Sequence, residues 1–438
     1  MAAPRGVPPE TARRRLGLFA DLTPLRHSPA YRRLWLGTLL SSVGAQLTTV
    51  AVGLQVYDLS GSSFSVGLVG LFALVPLVVF GLYGGSVSDA FDRRKVLLVS
   101  SGGLFVTALC FAAQAWAGLN QVWLLYGLVA VQNGFWAVNS PARMAILPRL
   151  LPKEMLPAAN ALSTLGNSVG MTLGPLLAGF SVSHLGFGGT YFSEVLLLGV
   201  ALTTLVALPA MPPLGEVRRS GLASVLEGLN YLRTRPNVRM TFLVDLVAMI
   251  FGMPRVLFPA LGAVVIGGGA TTVGVLSAGI ATGAVLAGVL SGPLGRVRRQ
   301  GLAVLVAIVA WGASIVGFGV VVGLSSGPDA GGGAHWLLWP AFGLLVLSGV
   351  ADSVSGIFRS TILQTATPDH MRGRLQGVFV VVVAGGPRLG DLAVGSAADL
   401  TSESVAAIAG GLTCIALVVF LGLRNPRFAR YDAHSPEA

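Results

Sequence analysis

Apolar runs of about 20 residues recur from one end of the chain to the other, each closed by a short polar or charged break. At a rise of about 1.5 Å per residue, a run of that length crosses a hydrocarbon core about 30 Å thick. Membrane-spanning strands would alternate apolar and polar residues over segments of about 10, and that alternation is absent. The breaks predict twelve helical spans, at 33–57, 65–87, 96–117, 122–142, 157–183, 190–212, 240–265, 272–294, 302–322, 336–358, 375–397 and 404–423.

Composition agrees with an all-α membrane protein. Of 438 residues, 53% are hydrophobic and only 11% charged, against about 25% charged in a soluble domain. The 59 glycines suit helices that approach closely in a membrane. The opening "MAAPRGVPPETARRRLGLFADL" is polar and basic, so no cleavable signal is expected.

The net charge of +11 reads differently once each base is placed. Lys and Arg gather before the first span and in every even-to-odd loop, as in Arg93, Arg94 and Lys95, or Arg143, Arg149 and Lys153. The other loops carry none, and only Arg255 and Arg388 stand inside spans. The positive-inside rule then puts both termini in the cytoplasm of a multi-pass inner-membrane protein. The basicity reports topology and not nucleic acid.

The chain also repeats itself. "RMAILPRLLPKEMLPAANAL" from Arg143 matches "RSTILQTATPDHMRGRLQGV" from Arg359, with Arg143 on Arg359, Pro152 on Pro368 and Met155 on Met371 at an offset of 216. "SVGLVG" at Ser65 matches "TVGVLS" at Thr272 at an offset of 207. The duplication predicts two pseudo-symmetric six-helix bundles, 33–212 and 240–423. They are flanked by cytoplasmic segments 1–32 and 424–438 and joined by a cytoplasmic linker, 213–239. Parallel repeats of this kind are a transporter design with the substrate site between them near mid-membrane.

Three motifs sharpen this reading. The loop "GGSVSDAFDRRK" carries G-x-x-x-D-x-x-x-R-R as Gly85, Asp89, Arg93 and Arg94. Span 5 carries "GNSVGMTLGPLLAG", with Gly170, Gly174, Pro175 and Gly179. "NSPARMAILPRLLP" follows span 4, and "TPDHMRGRLQG" follows span 10. Over roughly residues 28 to 425 these features resemble the major facilitator superfamily, in its branch of enterobactin exporters and macrolide-efflux proteins. The resemblance implies a cytoplasmic gate in which Asp89 faces the start of span 11 and Arg143. It also implies an antiporter-type span 5, favouring export, and a central cavity between spans 1, 4, 7 and 10. Cavity candidates are then Gln46, Asn133, Trp136, Arg255 and Asp352. Helix packing alone is the plain alternative for the span 5 glycines.

Acids inside spans are the natural proton carriers, because alternating hydration from two sides lets a buried carboxyl load and release a proton. Candidates are Asp352, Asp391 and Asp245, with Glu194 a further intramembrane acid near the outer end of span 6. Arg388 and Asp391, three apart on one helix face, are expected to form an ion pair. Asp352 is free of a competing cation only if Arg359 lies at the cytoplasmic surface, about 10 Å along the axis; a structural tether between the two is the plain alternative. Cys110 and Cys414 have no partners at metal-ligand spacing, and no phosphate loop or catalytic constellation occurs. The sequence therefore predicts a transporter working as a monomer, without cofactor, metal or catalysis. Its partners would be the lipid bilayer, protons and a small amphipathic substrate such as a drug, macrolide or siderophore. The alternatives are an uptake or lysolipid-translocating carrier of the same fold, or a non-transporting membrane scaffold or sensor.

Overall fold

The computed structural model describes residues 21–212, 222–291, 294, 297–325, 334–367 and 369–432, with the side chains of 82–90 outside the description and those of 369–384 described only in part. The described chain is almost wholly helical. Among the described residues, nine helices are long and apolar enough to cross a membrane.

Helix α1 spans Pro29–Ser60. Ser28 caps it by accepting from the Tyr31 N–H at 3.2 Å, Pro29 supplies the first position, and Gly61 ends it at φ 63°. Helices α2 (Ser63–Ala90), α3 (Arg93–Trp116) and α4 (Val122–Leu150) follow. Asp92 caps α3 through the Arg94 N–H at 2.9 Å and also accepts from the Met211 N–H at 3.2 Å. A single helical stretch, Leu156–Val206, is divided by Gly186 at φ 68°, ψ −175°, a conformation essentially confined to glycine. We label its parts α5 (156–185) and α6 (187–206).

In the second half α7 (Pro236–Phe251) stops where Gly252 and Pro254 interrupt the ladder. A 3₁₀ turn at Arg255–Leu257, one α-turn and a π-turn at Leu261–Val265 then carry the chain onward. Helices α8 (Gly269–Val289), α9 (Gln300–Ser325), α10 (Leu338–Thr365), α11 (Asp369–Leu400) and α12 (Glu403–Arg424) complete it. A further helix, Leu222–Thr234, precedes α7 and packs on α11.

Packing sorts these helices. Helix α1 lies on 156–206, α2 on α4, and α3 on both; α8 lies on α10, α9 on α10 and α12, and α7 on α11 and α12. The principal contacts between the two sets are α2 on α11 and α5 on α8. Bases at the end of the first set where α1 begins fasten the last residue of α6 and the chain after it: Arg94 donates to the Val206 carbonyl at 2.6 Å, Arg33 to Ala207 at 3.1 Å and Arg149 to Pro212 at 2.8 Å. Cations at the carbonyl end of a helix satisfy both orphan acceptors and the helix dipole.

Candidate functional site

The charged groups of the second half converge on the broken helix. Arg359 of α10 is buried and reaches two acids: Nη1 pairs with Asp245 of α7, and Nη2 lies 3.5 Å from Asp352, two turns earlier on α10. The tether of Asp352 to Arg359 is present, because a guanidinium stem is long enough to fold back along its own helix, and Arg359 does not stand free at the surface. Asp245 is sealed at 2% side-chain exposure, whereas Asp352 is 32% exposed. Asp352 also borders a cavity of about 10 Å³ lined by Gly252, Met253, Pro254, Ile280, Trp311 and Ser348, near the lower limit for one water. Trp311 holds the break open by donating to the Gly252 carbonyl at 3.0 Å.

Asp391 of α11 pairs with Arg255, Nε to Oδ1 at 3.2 Å and Nη2 to Oδ2 at 3.5 Å. The expected pair with Arg388 is therefore corrected: the break after Phe251 swings Arg255 against Asp391. Arg388 stays within electrostatic reach of both.

The first half holds a counterpart whose described partners are uncharged. Arg143 of α4 is buried and donates to Asn139 Oδ1 at 2.5 Å, Thr38 Oγ1 at 2.8 Å and Ser41 Oγ at 3.2 Å. Asn139 in turn donates to Ser100 and Ser101 at 2.9 and 2.8 Å. The two repeat offsets carry Arg143 onto Arg359 and Thr38 onto Asp245, so the same guanidinium nitrogen meets the same helix position in both halves. Among the described residues, Arg143 meets uncharged partners where Arg359 meets acids.

The span 5 glycines face two neighbours. Gly166, Gly170 and Gly174 lie against Trp35, Ser42 and Gln46 of α1, and Gly179 lies against Ala270 and Gly274 of α8. Helix α11 repeats the arrangement, with Gly386 and Gly390 against Met249 of α7 and Gly395 against Ser63 of α2. These contacts between the sets lie at the end opposite the described chain termini. There Asp399 accepts from the Ser62 hydroxyl and, at 2.8 Å, from the Ser63 N–H that begins α2. Ser183 and Thr271 hydroxyls stand 3.2 Å apart at the matching crossing.

The remaining candidates are dispersed. Gln46 packs on Gly174, Asn133 donates to the Val129 carbonyl of its own helix at 2.9 Å, and Trp136 packs beside Leu104, Ala108, Val195 and Leu198. Of the cavity candidates only Asp352 borders the void beside Gly252. In the proposed gate, Gly85 and Asp89 lie outside the residues whose side chains are described; Arg94 is engaged within the first half, and Arg93 binds Met211 O through its backbone at 3.1 Å. Sequence reasoning registered Glu194 as an acid in a span but not its surroundings, which three separate helices assemble.

Helices packed in repeated sets that cross at matched glycines give the chain the major facilitator fold. Solved structures with that fold are similar throughout: a POT family transporter in complex with 5-aminolevulinic acid (TM-score 0.72, 11% identity, 92% of this chain and 97% of that one) and the nucleoside transporter NupG (0.70, 13%, 92% and 99%). The chain belongs to the transmembrane secretion effector family, whose profile matches residues 19–437. Among curated relatives it is 29% identical over 423 residues to the enterobactin exporter EntS of Citrobacter koseri, covering 95% of this chain and 97% of that protein. It is 28% identical over 421 residues to EntS of Shigella boydii, with the same coverage.

Proposed function

We propose that the protein is a secondary exporter of small amphipathic molecules in the bacterial inner membrane, built as twelve spans in two six-helix bundles that rock about a central site. Segments 1–32, 213–239 and 424–438 are cytoplasmic on this reading, and 33–212 and 240–423 are the moving halves. The observation that carries it is the pair of equivalent crossings, Gly179 on Ala270 and Gly395 on Ser63. Both crossings lie at the end opposite the described chain termini and hold that end together, which suits a carrier, because a carrier needs a state closed on one side. The relatives named as enterobactin exporters support outward flux and a substrate of siderophore-like size.

A proton gradient drives the cycle in this reading, through the acids set among cations near the broken helix. The test is intracellular accumulation of siderophores, macrolides and dyes in a deletion strain and its complemented parent, with and without an uncoupler. Lower accumulation in the complemented strain, abolished by the uncoupler, supports proton-driven export. Identical accumulation of every compound in both strains would remove the exporter reading, and flux into oriented vesicles separates export from uptake.

A further inference from the structure

Glu194 of α6 is the buried acid that the ionic clusters leave aside. It is 2% exposed and lies about 12 Å along the helix from Gly186 at 1.5 Å per residue. Thr48 of α1 donates to its Oε2, and Gln132 of α4 donates to Oε1 at 3.2 Å. On its own helix Tyr191 donates to Gln55 at 2.8 Å, and Gln55 exchanges hydrogen bonds with Gln114 of α3. Every described polar group that faces it from α1, α3, α4 and α6 is neutral, and no Lys, Arg or His is among its described partners. Gly44 makes the space: a Cβ there would meet Glu194 Cγ at 3.1 Å.

An ionised carboxylate buried among neutral groups without a cation is disfavoured, and a proton removes the charge. We propose that Glu194 is a proton-binding site in the first half, separate from the acid–arginine clusters of the second. A proton taken from water forms the Oε2–H bond, which then donates to Thr48 Oγ1. The Thr48 hydroxyl turns to the Gly44 carbonyl four residues back, the arrangement Thr38, Ser41 and Thr49 already adopt on α1 at 2.7–2.8 Å. Losing the proton restores the Thr48 donation to Oε2. Gln132 is the half-buried member of this site.

The proposal rests on the transport reading only for its part in coupling, so proton binding is measured on the resting protein. Infrared difference spectra of the full chain in vesicles, recorded across pH in H₂O and D₂O, report protonated carboxyl groups directly. Glu194→Gln keeps an acceptor for Thr48 and Gln132 and should fold. One protonated-carboxyl C=O band of the wild type should be missing from it, and Thr48→Val should keep that band but move its frequency. Wild-type and Glu194→Gln spectra that coincide in the carboxyl region at every pH would overturn the proposal, as would a band indifferent to Thr48→Val. A wild type with no uncoupler-sensitive flux would defeat the exporter reading and leave the infrared result to decide this one.

Discussion

Gly274 of α8 lies directly on the Pro175 carbonyl of α5: a Cβ added to it would meet that oxygen at 2.6 Å. At the other crossing Gly67 of α2 lies on the Asp391 carbonyl of α11, where a Cβ would meet the oxygen at 2.5 Å. The offsets that define the duplication relate the two, 67 to 274 by 207 and 175 to 391 by 216. A side chain at either glycine would separate the helices, so both crossings depend on the missing Cβ.

Gly274→Leu and Gly67→Leu should each open the closed end. Overpacking a fitted contact costs about 1–3 kcal/mol, and every 1.4 kcal/mol is a tenfold change in an equilibrium. With cysteines at 183 and 271 and Cys110 and Cys414 replaced, disulfide yield should drop severalfold to more than a hundredfold. Leucine variants that crosslink like the parent would show that the glycines do not set closure.

Asp399→Ala should loosen the start of α2. The carboxylate supplies the acceptors for the Ser62 hydroxyl and the Ser63 N–H, and loss of such a cap costs about 0.5–2 kcal/mol. Hydrogen exchange over residues 62–66 should quicken by roughly two- to thirtyfold at that cost, while 269–273 holds. Unaltered exchange at 62–66 would mean that the cap contributes nothing to closure.

The duplication, the equivalence of Arg143 with Arg359 and the glycine runs of α5 and α11 were legible in the chain, because each is a one-dimensional pattern. Of the ion-pair partners, the tether of Asp352 to Arg359 within one helix was legible and those across helices were not. The spacing of Arg388 and Asp391 pointed to a local pair, yet the broken α7 brings Arg255 to Asp391, and helical periodicity carries no information about a break's direction. Glu194 was visible as an acid in an apolar run, but Thr48 and Gln132 come from helices 146 and 62 residues away in sequence. Only packing assembles that site.

Arg359→Leu should destabilise the protein far more than Arg359→Leu combined with Asp245→Thr. Removing one partner of a buried ion pair costs about 3–5 kcal/mol, because the other charge is left uncompensated. The double variant removes the more deeply buried of the two acids at the same time. Asp245→Thr alone rebuilds the arrangement of Thr38 with Arg143 and should keep its fold. Thermal unfolding in detergent measures all three, and equal losses for the single Arg359→Leu and the double variant would refute the coupling.

Among Asp352, Asp391 and Asp245, Asp352→Asn should remove proton coupling most completely. Charge decides between the clusters. Arg359 with Asp245 and Asp352 carries one net negative charge when all three are ionised, so a proton neutralises the group. Arg255, Arg388 and Asp391 together carry one net positive charge, and a proton would raise it, which Coulomb repulsion in a low-dielectric site opposes. Within the first cluster, Asp245 is sealed under Arg359, while Asp352 keeps the longer contact of 3.5 Å and borders the cavity beside the broken helix. A proton arriving on Asp352 leaves Arg359 to Asp245 alone and removes the charge that faces the cavity beside Gly252 and Pro254. Asp352→Asn should therefore bind substrate at equilibrium yet lose uncoupler-sensitive uphill efflux. Asp391→Asn and Asp245→Asn should each retain part of that efflux, the latter because an amide oxygen still accepts from Arg359 and Asp352 stays beside it. If all three variants still pump uphill, these acids are not the coupling site; if Asp391→Asn alone stops pumping while Asp352→Asn does not, the charge argument is wrong.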